Sequence, residues 1–136
     1  AGRTIPDQEQ QQLLTWFGCP APNRLIASVD AGTRRLLDVA GAVAARPRVV
    51  LLDEPAAGLS HEESMRLAAC IAQIPERFGI SVLLVEHDMD LVRLVCNEVV
   101  VLDFGRIIAQ GATAETLKSK QVIAAYVGAP EELLAS

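Results

Sequence analysis

Two short runs of branched apolar residues, each ending in acidic residues, most constrain the fold of this chain. The first covers residues 48–53 and the second covers residues 80–86. An apolar run of this length without polar alternation is typical of a strand buried on both faces of a parallel sheet. Residues 61–74 between them have a helical pattern, with Ser60 and Glu63 placed as a capping box and Pro75 expected to kink or end the helix. Strand, helix and strand in this order predict a right-handed crossover and a parallel pair.

The rest of the chain continues the alternation of helices and strands. Apolar spacing predicts helices over residues 7–17, 33–45 and 89–96, strands over 98–102 and 106–109 joined by a tight turn, and short helices over 113–119 and 121–127. Gly111 is expected to break the chain after the last strand. The predicted class is therefore α/β, with parallel strands, a C-terminal hairpin and flanking helices.

The charge of the chain disfavours nucleic acid as a partner. Its formal net charge is -5, only 21% of its residues are charged, and no run of Lys or Arg occurs. The three cysteines are far apart and form no CxxC pair, which favours reduced thiols in a cytosolic protein. The apolar runs are also shorter than the roughly 18 residues that suggest a membrane span.

Acidic residues lie at the end of the first apolar run. Asp53 and Glu54 follow directly after it, and ligands of open α/β sheets bind at the carboxyl ends of strands. One carboxylate can hold Mg²⁺ directly or through water, while the other can take a proton from a water that attacks phosphorus. The alternative is a strand that leaves the core through a solvated turn.

A histidine follows the second apolar run. His87 comes directly after Glu86, so the predicted parallel pairing places its imidazole near the two acids. An imidazole there can donate to a terminal phosphate or orient a water. A solvated histidine without a chemical role is the alternative.

These motifs together resemble those of the ATPases of ATP-binding cassette (ABC) transporters. Residues 52–59 resemble the Walker B segment and D-loop, and residues 85–91 resemble the switch-histidine segment. Residues 29–36 lie where that family has its LSGGQ-type signature, and residues 99–111 are similar to its terminal hairpin. Within the family, residues 53–59, 86–90 and 122–128 resemble the ATPase subunits of branched-chain amino acid importers.

The resemblance implies a partial P-loop NTPase core and a role for each matching residue. Asp53 would order Mg²⁺, Glu54 would be the general base of ATP hydrolysis, and His87 would sense the γ-phosphate. The signature loop would approach the phosphates of ATP held by an opposite subunit through Asp30, Ala31, Gly32 and Thr33. Residues 57–60 would contact that second cassette.

The resemblance also implies partners, a location and a division of the chain. The ATPase would form a dimer of cassettes, peripheral on the cytoplasmic face of the bacterial membrane, and would drive two membrane permease subunits. Residues 1–32 would be a remnant of the helical subdomain with the signature loop. Residues 33–112 would be the C-terminal half of the α/β core, and residues 113–136 would be a helical tail.

The sequence departs from the family pattern in three ways that matter, one of which is that Ser60 replaces the usual Asp of the D-loop and Gly41 lies in the middle of a helix. No Gly-x-x-x-x-Gly-Lys-Ser/Thr occurs, and the only lysines are Lys118 and Lys120, so we expect that the chain cannot bind ATP alone. Asp30 stands where the family usually has serine, and an ionised carboxylate repels phosphate. A missing N-terminal half would expose a strand edge, which predicts an oligomer, a swapped dimer or one part of a split protein.

Two other functions compete with transport-linked ATP hydrolysis. The chain could be a non-catalytic, truncated cassette that acts as an interaction module. An ABC ATPase of DNA repair or translation is disfavoured by the importer-like residues 122–128 and by the lack of a basic patch.

Overall fold

The chain contains two compact units, Ala1–His87 and Asp88–Ser136. The computed structural model describes residues 6–20 and 28–128. Parts of the first and third segments predicted from the sequence therefore lie outside the described residues. The boundary between the two units, at residue 88, does not test the segment boundaries predicted at residues 32 and 112, and these stay predictions.

The first unit contains the predicted strand–helix–strand arrangement. Its elements are, in order, α1 (Asp7–Trp16), α2 (Ala31–Ala44), β1 (Val49–Asp53), α3 (His61–Phe78) and β2 (Ser81–Val85). β1 and β2 pair in parallel, from Val49 opposite Ser81 to Asp53 opposite Val85. The parallel pair is confirmed, and it brings the carboxyl ends of both strands to the same edge.

The core of the first unit lies on one face of this strand pair. α2 packs against α3, and α3 packs against β2. The large side chains fully buried in the first unit are Phe17, which follows α1, and, from α2 and α3, Leu36, Leu67, Ile71 and Ile74. Each such burial contributes about 1.5–3 kcal/mol relative to an exposed side chain, so the two helices hold the sheet from one side.

The other face of the strand pair is exposed. The apolar side chains on this open face are Val49, Leu51, Leu83 and Val85, and Leu51 is 71% exposed. They alternate along each strand with the inward residues, as the two-residue period of a strand requires. A face expected from the sequence to be buried is thus uncovered in the described part of the chain.

Helix α3 is longer than the sequence predicted. The capping box is present, because Ser60 accepts from Glu63 N–H and Glu63 bonds back to Ser60 N–H. Pro75 is expected from the sequence to kink or end the helix, and of these two expectations the end near residue 74 is wrong, since α3 continues to Phe78. Gly79 ends it in the left-handed region, with φ of 66°.

The contacts of the last turn of α3 are aromatic. The indole of Trp16 in α1 lies edge-on to Phe78, with ring centroids 5.0 Å apart. The Arg77 guanidinium lies over the same indole at 5.3 Å. Phe17 is buried beside it, and Glu9 of α1 forms an ion pair with Arg46 after α2. These contacts hold α1 against the two longer helices.

The second unit is a hairpin with short helices. Its elements are, in order, α4 (Met89–Val95), β3 (Glu98–Asp103), β4 (Arg106–Ala112), α5 (Thr113–Thr116) and α6 (Lys120–Val127). β3 and β4 pair antiparallel through a turn at Phe104 and Gly105, both with positive φ. The expected break at Gly111 is wrong, because Gly111 pairs with Val99 inside β4.

Two sequence expectations about environment can be compared with the structure. Among residues 6–20 and 28–128, no helix combines the length and apolar character needed to cross a membrane. Cys19, Cys70 and Cys96 are half-buried free thiols, and burial raises the pKa of each. A raised pKa disfavours the reactive thiolate.

Candidate functional site

The predicted catalytic residues lie at the ends of the two paired strands. Asp53 is the last residue of β1 and is exposed, while Glu54 follows it. Val85 ends β2 opposite Asp53, and His87 comes two residues later. Because β1 and β2 are parallel and end opposite each other, residues more than thirty positions apart in sequence meet here.

Glu54 and His87 face each other. The Glu54 Oε1 atom is 3.7 Å from His87 Nδ1, and the two side chains are 54% and 78% exposed. This distance exceeds a normal hydrogen bond, so both groups can still bind a third group between or beside them. The structure therefore brings an acid and a histidine close together at this edge, as the sequence predicted.

The backbone of Glu54 has an unusual conformation. Its φ is 44°, in the left-handed region, which residues other than glycine rarely adopt. Its N–H donates to Val85 O at 2.8 Å and so extends the strand pairing by one residue. Such a conformation costs about 1–3 kcal/mol and is often found at active sites.

A further carboxylate, which the sequence analysis did not assign, lies beneath these residues. The Glu86 side chain is only 1% exposed. It accepts hydrogen bonds from Ala56 N–H and from His87 N–H, each at 3.1 Å. A signal for it exists in the sequence, because Glu86 continues the inward alternation of Val82 and Leu84.

The predicted signature residues form a separate polar cluster at the start of α2. Asp30 caps the helix, accepting from Thr33 N–H and from Thr33 Oγ1, both at 2.7 Å. Arg66 of α3 donates to Asp30 and to Thr33 at 3.3 Å. Ala31 is the first residue of α2. The cluster thus connects the beginning of α2 to α3.

Glu63 bridges two chain segments in this cluster. Its Oε1 accepts from Gly32 N–H at 3.1 Å, while its Oε2 accepts from Ser60 N–H at 2.9 Å. A Cβ atom on Gly32 would lie 2.9 Å from Glu63 Cγ. The resemblance to ABC ATPases implied that Gly32 allows a close approach of phosphate. In the structure, the close packing of Glu63 already requires glycine at this position.

Hydrogen bonds keep both acids of this cluster ionised. The Thr33 N–H lowers the pKa of Asp30, with the Thr33 hydroxyl as the next cause. The Ser60 N–H is the main cause of the lowered pKa of Glu63, and the Gly32 N–H adds to it. Two carboxylates therefore accept hydrogen bonds from backbone N–H groups at the start of α2.

The donors at the strand ends suit a metal that arrives with a nucleotide. Within the described residues, no three His, Cys, Asp or Glu side chains are grouped so that they could hold a metal ion. Mg²⁺ in nucleotide sites uses one or two carboxylates, with phosphates and waters completing its shell. Asp53 fits this role as a single ligand.

The chain is similar in sequence to transport ATP-binding proteins. No protein-family model matches it. The high-affinity branched-chain amino acid transport ATP-binding protein BraF of Pseudomonas aeruginosa is 39% identical over 106 residues, which are 78% of this chain and 42% of BraF. The corresponding LivG of Escherichia coli K12 is 34% identical over the same shares. The chain thus spans about two fifths of the length of these relatives.

The chain is also similar in fold to solved structures of ABC transporter proteins. The cbiO1 protein from Clostridium perfringens, part of the ABC transporter complex cbiONQ, matches 88% of this chain and 50% of its own, with 28% identity and a TM-score of 0.75. The ADP conformation of MJ1267, an ATP-binding cassette of an ABC transporter, matches 93% of this chain and 52% of its own, with 20% identity and a TM-score of 0.79. The predicted ABC ATPase fold is confirmed. The chain belongs to the ATP-binding proteins of ABC transporters, over a part of their length.

Proposed function

We propose that this chain is the C-terminal part of the ATP-hydrolysing subunit of an ABC importer for branched-chain amino acids. The observation that carries the proposal is the approach of the Glu54 carboxylate to the His87 imidazole at the level ends of β1 and β2. A base and a hydrogen-bond donor this close can act on the same phosphoryl group.

In this proposal Glu54 is the general base. A water attacks the γ-phosphorus of ATP, its proton passes to a Glu54 carboxylate oxygen, and the bond to the bridging oxygen breaks so that ADP leaves with the electron pair. His87 donates a hydrogen bond to a γ-phosphate oxygen, where negative charge must be stabilised. Both side chains are exposed enough to reach a bound nucleotide.

Asp53 would hold the magnesium ion that accompanies ATP. When bound, Mg²⁺ neutralises phosphate charge. The carboxylate of Asp53 is exposed at the end of β1, one residue before Glu54, and side chains alternate along a strand. The two acids can therefore serve different tasks.

The start of α2 would face the nucleotide of a second cassette. The residues proposed for this contact are Asp30, Ala31, Gly32 and Thr33. Phosphate could bind the Gly32 N–H only after Glu63 releases it, since Glu63 now accepts from it. We therefore propose that this contact forms with a rearrangement of the Glu63 side chain.

The partners follow from the kinship with importer subunits. BraF and LivG are named as branched-chain amino acid transport proteins, so we propose a permease for such amino acids as the membrane partner. A second cassette and an N-terminal half that carries the phosphate-binding loop are the other proposed partners, and self-association is expected. The complex would lie on the cytoplasmic face of the membrane. Residues 1–32, 33–112 and 113–136 would be the helical remnant, the core half and the tail.

A non-catalytic interaction module is the second candidate function. The chain has no Gly-x-x-x-x-Gly-Lys-Ser/Thr, and two ionised carboxylates occupy the start of α2. Such a chain would bind a cassette or permease without hydrolysing ATP.

Complementation distinguishes the two functions. The chain is mixed with a separately produced cassette segment that carries the phosphate-binding loop, and ATP binding and turnover are measured by calorimetry and phosphate release. We expect no ATP binding by the chain alone and hydrolysis by the mixture. Glu54→Gln should lower turnover by about 10²–10⁴-fold and leave ATP binding largely intact.

Glu62→Gln is the matched control, because it removes the same charge from an exposed position of α3. It should leave turnover unchanged. A mixture that forms a complex and binds ATP but never hydrolyses it would favour the interaction module. Unchanged turnover in Glu54→Gln would remove Glu54 from the role of base.

A further inference from the structure

Glu86 is the most buried acidic side chain among those at the strand ends. Its side chain is 1% exposed, whereas those of Glu54 and His87 are more than half exposed. Burying a carboxylate is costly unless hydrogen bonds replace its water. A group in this position therefore needs partners that the fold provides.

Those partners are two backbone N–H groups from different loops. Glu86 Oε1 accepts from Ala56, in the turn after β1, and Oε2 accepts from His87, directly after β2. Hydrogen bonds to an ionised acceptor are roughly twice as strong as neutral ones. Oε1 thus ties the turn after β1 to the end of β2, while Oε2 accepts from the next residue in sequence, His87, whose side chain is one of the proposed reacting groups.

The turn that contains Glu54 is fixed from both sides. Before it, the Glu54 N–H donates to Val85 O at 2.8 Å, and after it, the Ala56 N–H donates to Glu86. Between these two bonds Glu54 keeps a φ of 44° although a proline follows it. Left-handed conformations of this kind persist only where the surroundings determine them strongly.

We propose that Glu86 is a positioning residue, which ties the turn after β1 to the end of β2 and so holds Glu54 beside His87. It acts through the two backbone N–H groups and through its Oε2 atom, which lies 3.8 Å from His87 Nδ1, and it does not touch the nucleotide, because its side chain is buried. The inference rests on the proposed function only in taking Glu54 and His87 as the reacting groups.

The first test measures amide hydrogen exchange in the ¹⁵N-labelled full chain by NMR. Glu86→Ala removes both acceptor oxygens, and we expect the amides of Ala56 and His87 to exchange about tenfold faster or more. Glu86→Gln keeps one acceptor oxygen and should affect one of the two amides. The buried Ile71 amide in α3 is the reference, and its rate should stay unchanged.

The second test measures ATP turnover of the chain complemented with the segment that carries the phosphate-binding loop. We expect kcat to fall by about tenfold or more in Glu86→Ala, and less in Glu86→Gln, while KM for ATP changes by less than about threefold. Glu62→Gln again serves as the control and should change neither constant.

Several results would overturn the proposal. Unchanged exchange at Ala56 and His87 in both variants would show that the carboxylate does not hold these loops. Faster exchange with unchanged kcat would show that Glu86 stabilises these loops but does not position the reacting groups. A change mainly in KM would indicate direct contact with the nucleotide.

Failure of the proposed function can be told apart from failure of this inference. If the complemented, unsubstituted chain hydrolyses no ATP, the proposed function fails and the NMR data decide the role of Glu86. The Glu54 side-chain resonances should then shift in Glu86→Ala, and unshifted resonances would overturn the inference. If Glu86→Ala does not fold, a through-bond coupling between the Ala56 amide nitrogen and the Glu86 carboxyl carbon in the unsubstituted chain decides, and its absence overturns the inference.

Discussion

Gly32 lies where two helices begin so close together that a side chain would collide with its neighbour. A Cβ at this position would lie 2.9 Å from Glu63 Cγ and 3.0 Å from Glu63 Cβ. These atoms are near the backbone of α3, so they cannot move aside as the end of a long side chain can. Gly41, in the middle of α2, has no neighbouring atom within 4 Å of the same added carbon.

The two glycines predict opposite effects of the same substitution. Gly32→Ala should destabilise the chain by about 1–3 kcal/mol, because the start of α2 must move away from α3. Gly41→Ala should stabilise it by about 0.5–1 kcal/mol, since alanine loses less backbone entropy in a helix. Urea denaturation of both variants measures this difference. A Gly32→Ala variant as stable as the unsubstituted chain would contradict the close packing of Glu63 on α2.

The starts of α2 and α3 depend on each other through Glu63. This carboxylate accepts from Gly32 at the start of α2 and from Ser60, the cap of α3. One ionised group therefore serves two helix starts, where negative charge is favourable.

This arrangement predicts a pH dependence of stability. The pKa of Glu63 is lowered in the folded chain, chiefly by the Ser60 N–H. Its contribution is therefore fully present above the unfolded-state pKa of about 4.3 and is lost as the pH falls through the lower folded value. Glu63→Gln should be less stable than the unsubstituted chain near neutral pH, and the difference should shrink on acidification.

Urea denaturation at several pH values measures that difference. Glu62→Gln removes the same charge from the same helical turn and should reproduce little of the effect. A difference between the Glu63→Gln and unsubstituted chains that grows as the pH falls would have the wrong sign and would contradict the assigned hydrogen bonds.

Most elements were predictable because their signals are local. Apolar runs, the capping box at Ser60 and the spacing of α2 each lie within a few residues of what they determine. The end of α3 was not predictable, since the packing of Phe78 on Trp16 depends on a helix far away in sequence. Gly111 was misread because its pairing with Val99 outweighs the usual preference of glycine for chain breaks.

The candidate site was predictable only where residues stand at strand ends. Glu54 and His87 follow apolar runs, so parallel pairing was enough to bring them together. The second bond of Glu63, to Gly32, joins segments 31 residues apart and has no local signal. Alternation along β2 predicts that the Glu86 side chain points inward, but its hydrogen-bond partners depend on the tertiary fold.

At the scale of the whole molecule, the open face of the strand pair is the most consequential surface. Leu51 is 71% exposed and Leu83 is 60% exposed on a sheet that has two strands within residues 6–20 and 28–128. Exposed apolar sheet faces and strand edges favour association with another chain. We expect the chain alone to self-associate at micromolar concentration.

A double substitution, Leu51→Lys with Leu83→Lys, should shift the chain towards monomer, because adjacent positive charges oppose burial of this face. Light scattering coupled to size-exclusion chromatography measures the mass. Gln8→Lys on the exposed side of α1 is the control and should leave the mass unchanged. A monomeric unsubstituted chain, or an oligomer that persists in the double variant, would contradict this assignment of the interface.

Trp16 makes the chain report on its own folding. It is the only tryptophan in the sequence, and in the first unit its indole lies against Phe78 with Arg77 over the ring. Its fluorescence therefore follows the detachment of α1 from α3, whereas circular dichroism follows the helices of both units. Coincident melting curves would indicate that the whole chain unfolds in one cooperative step, and separated curves that the two units melt independently.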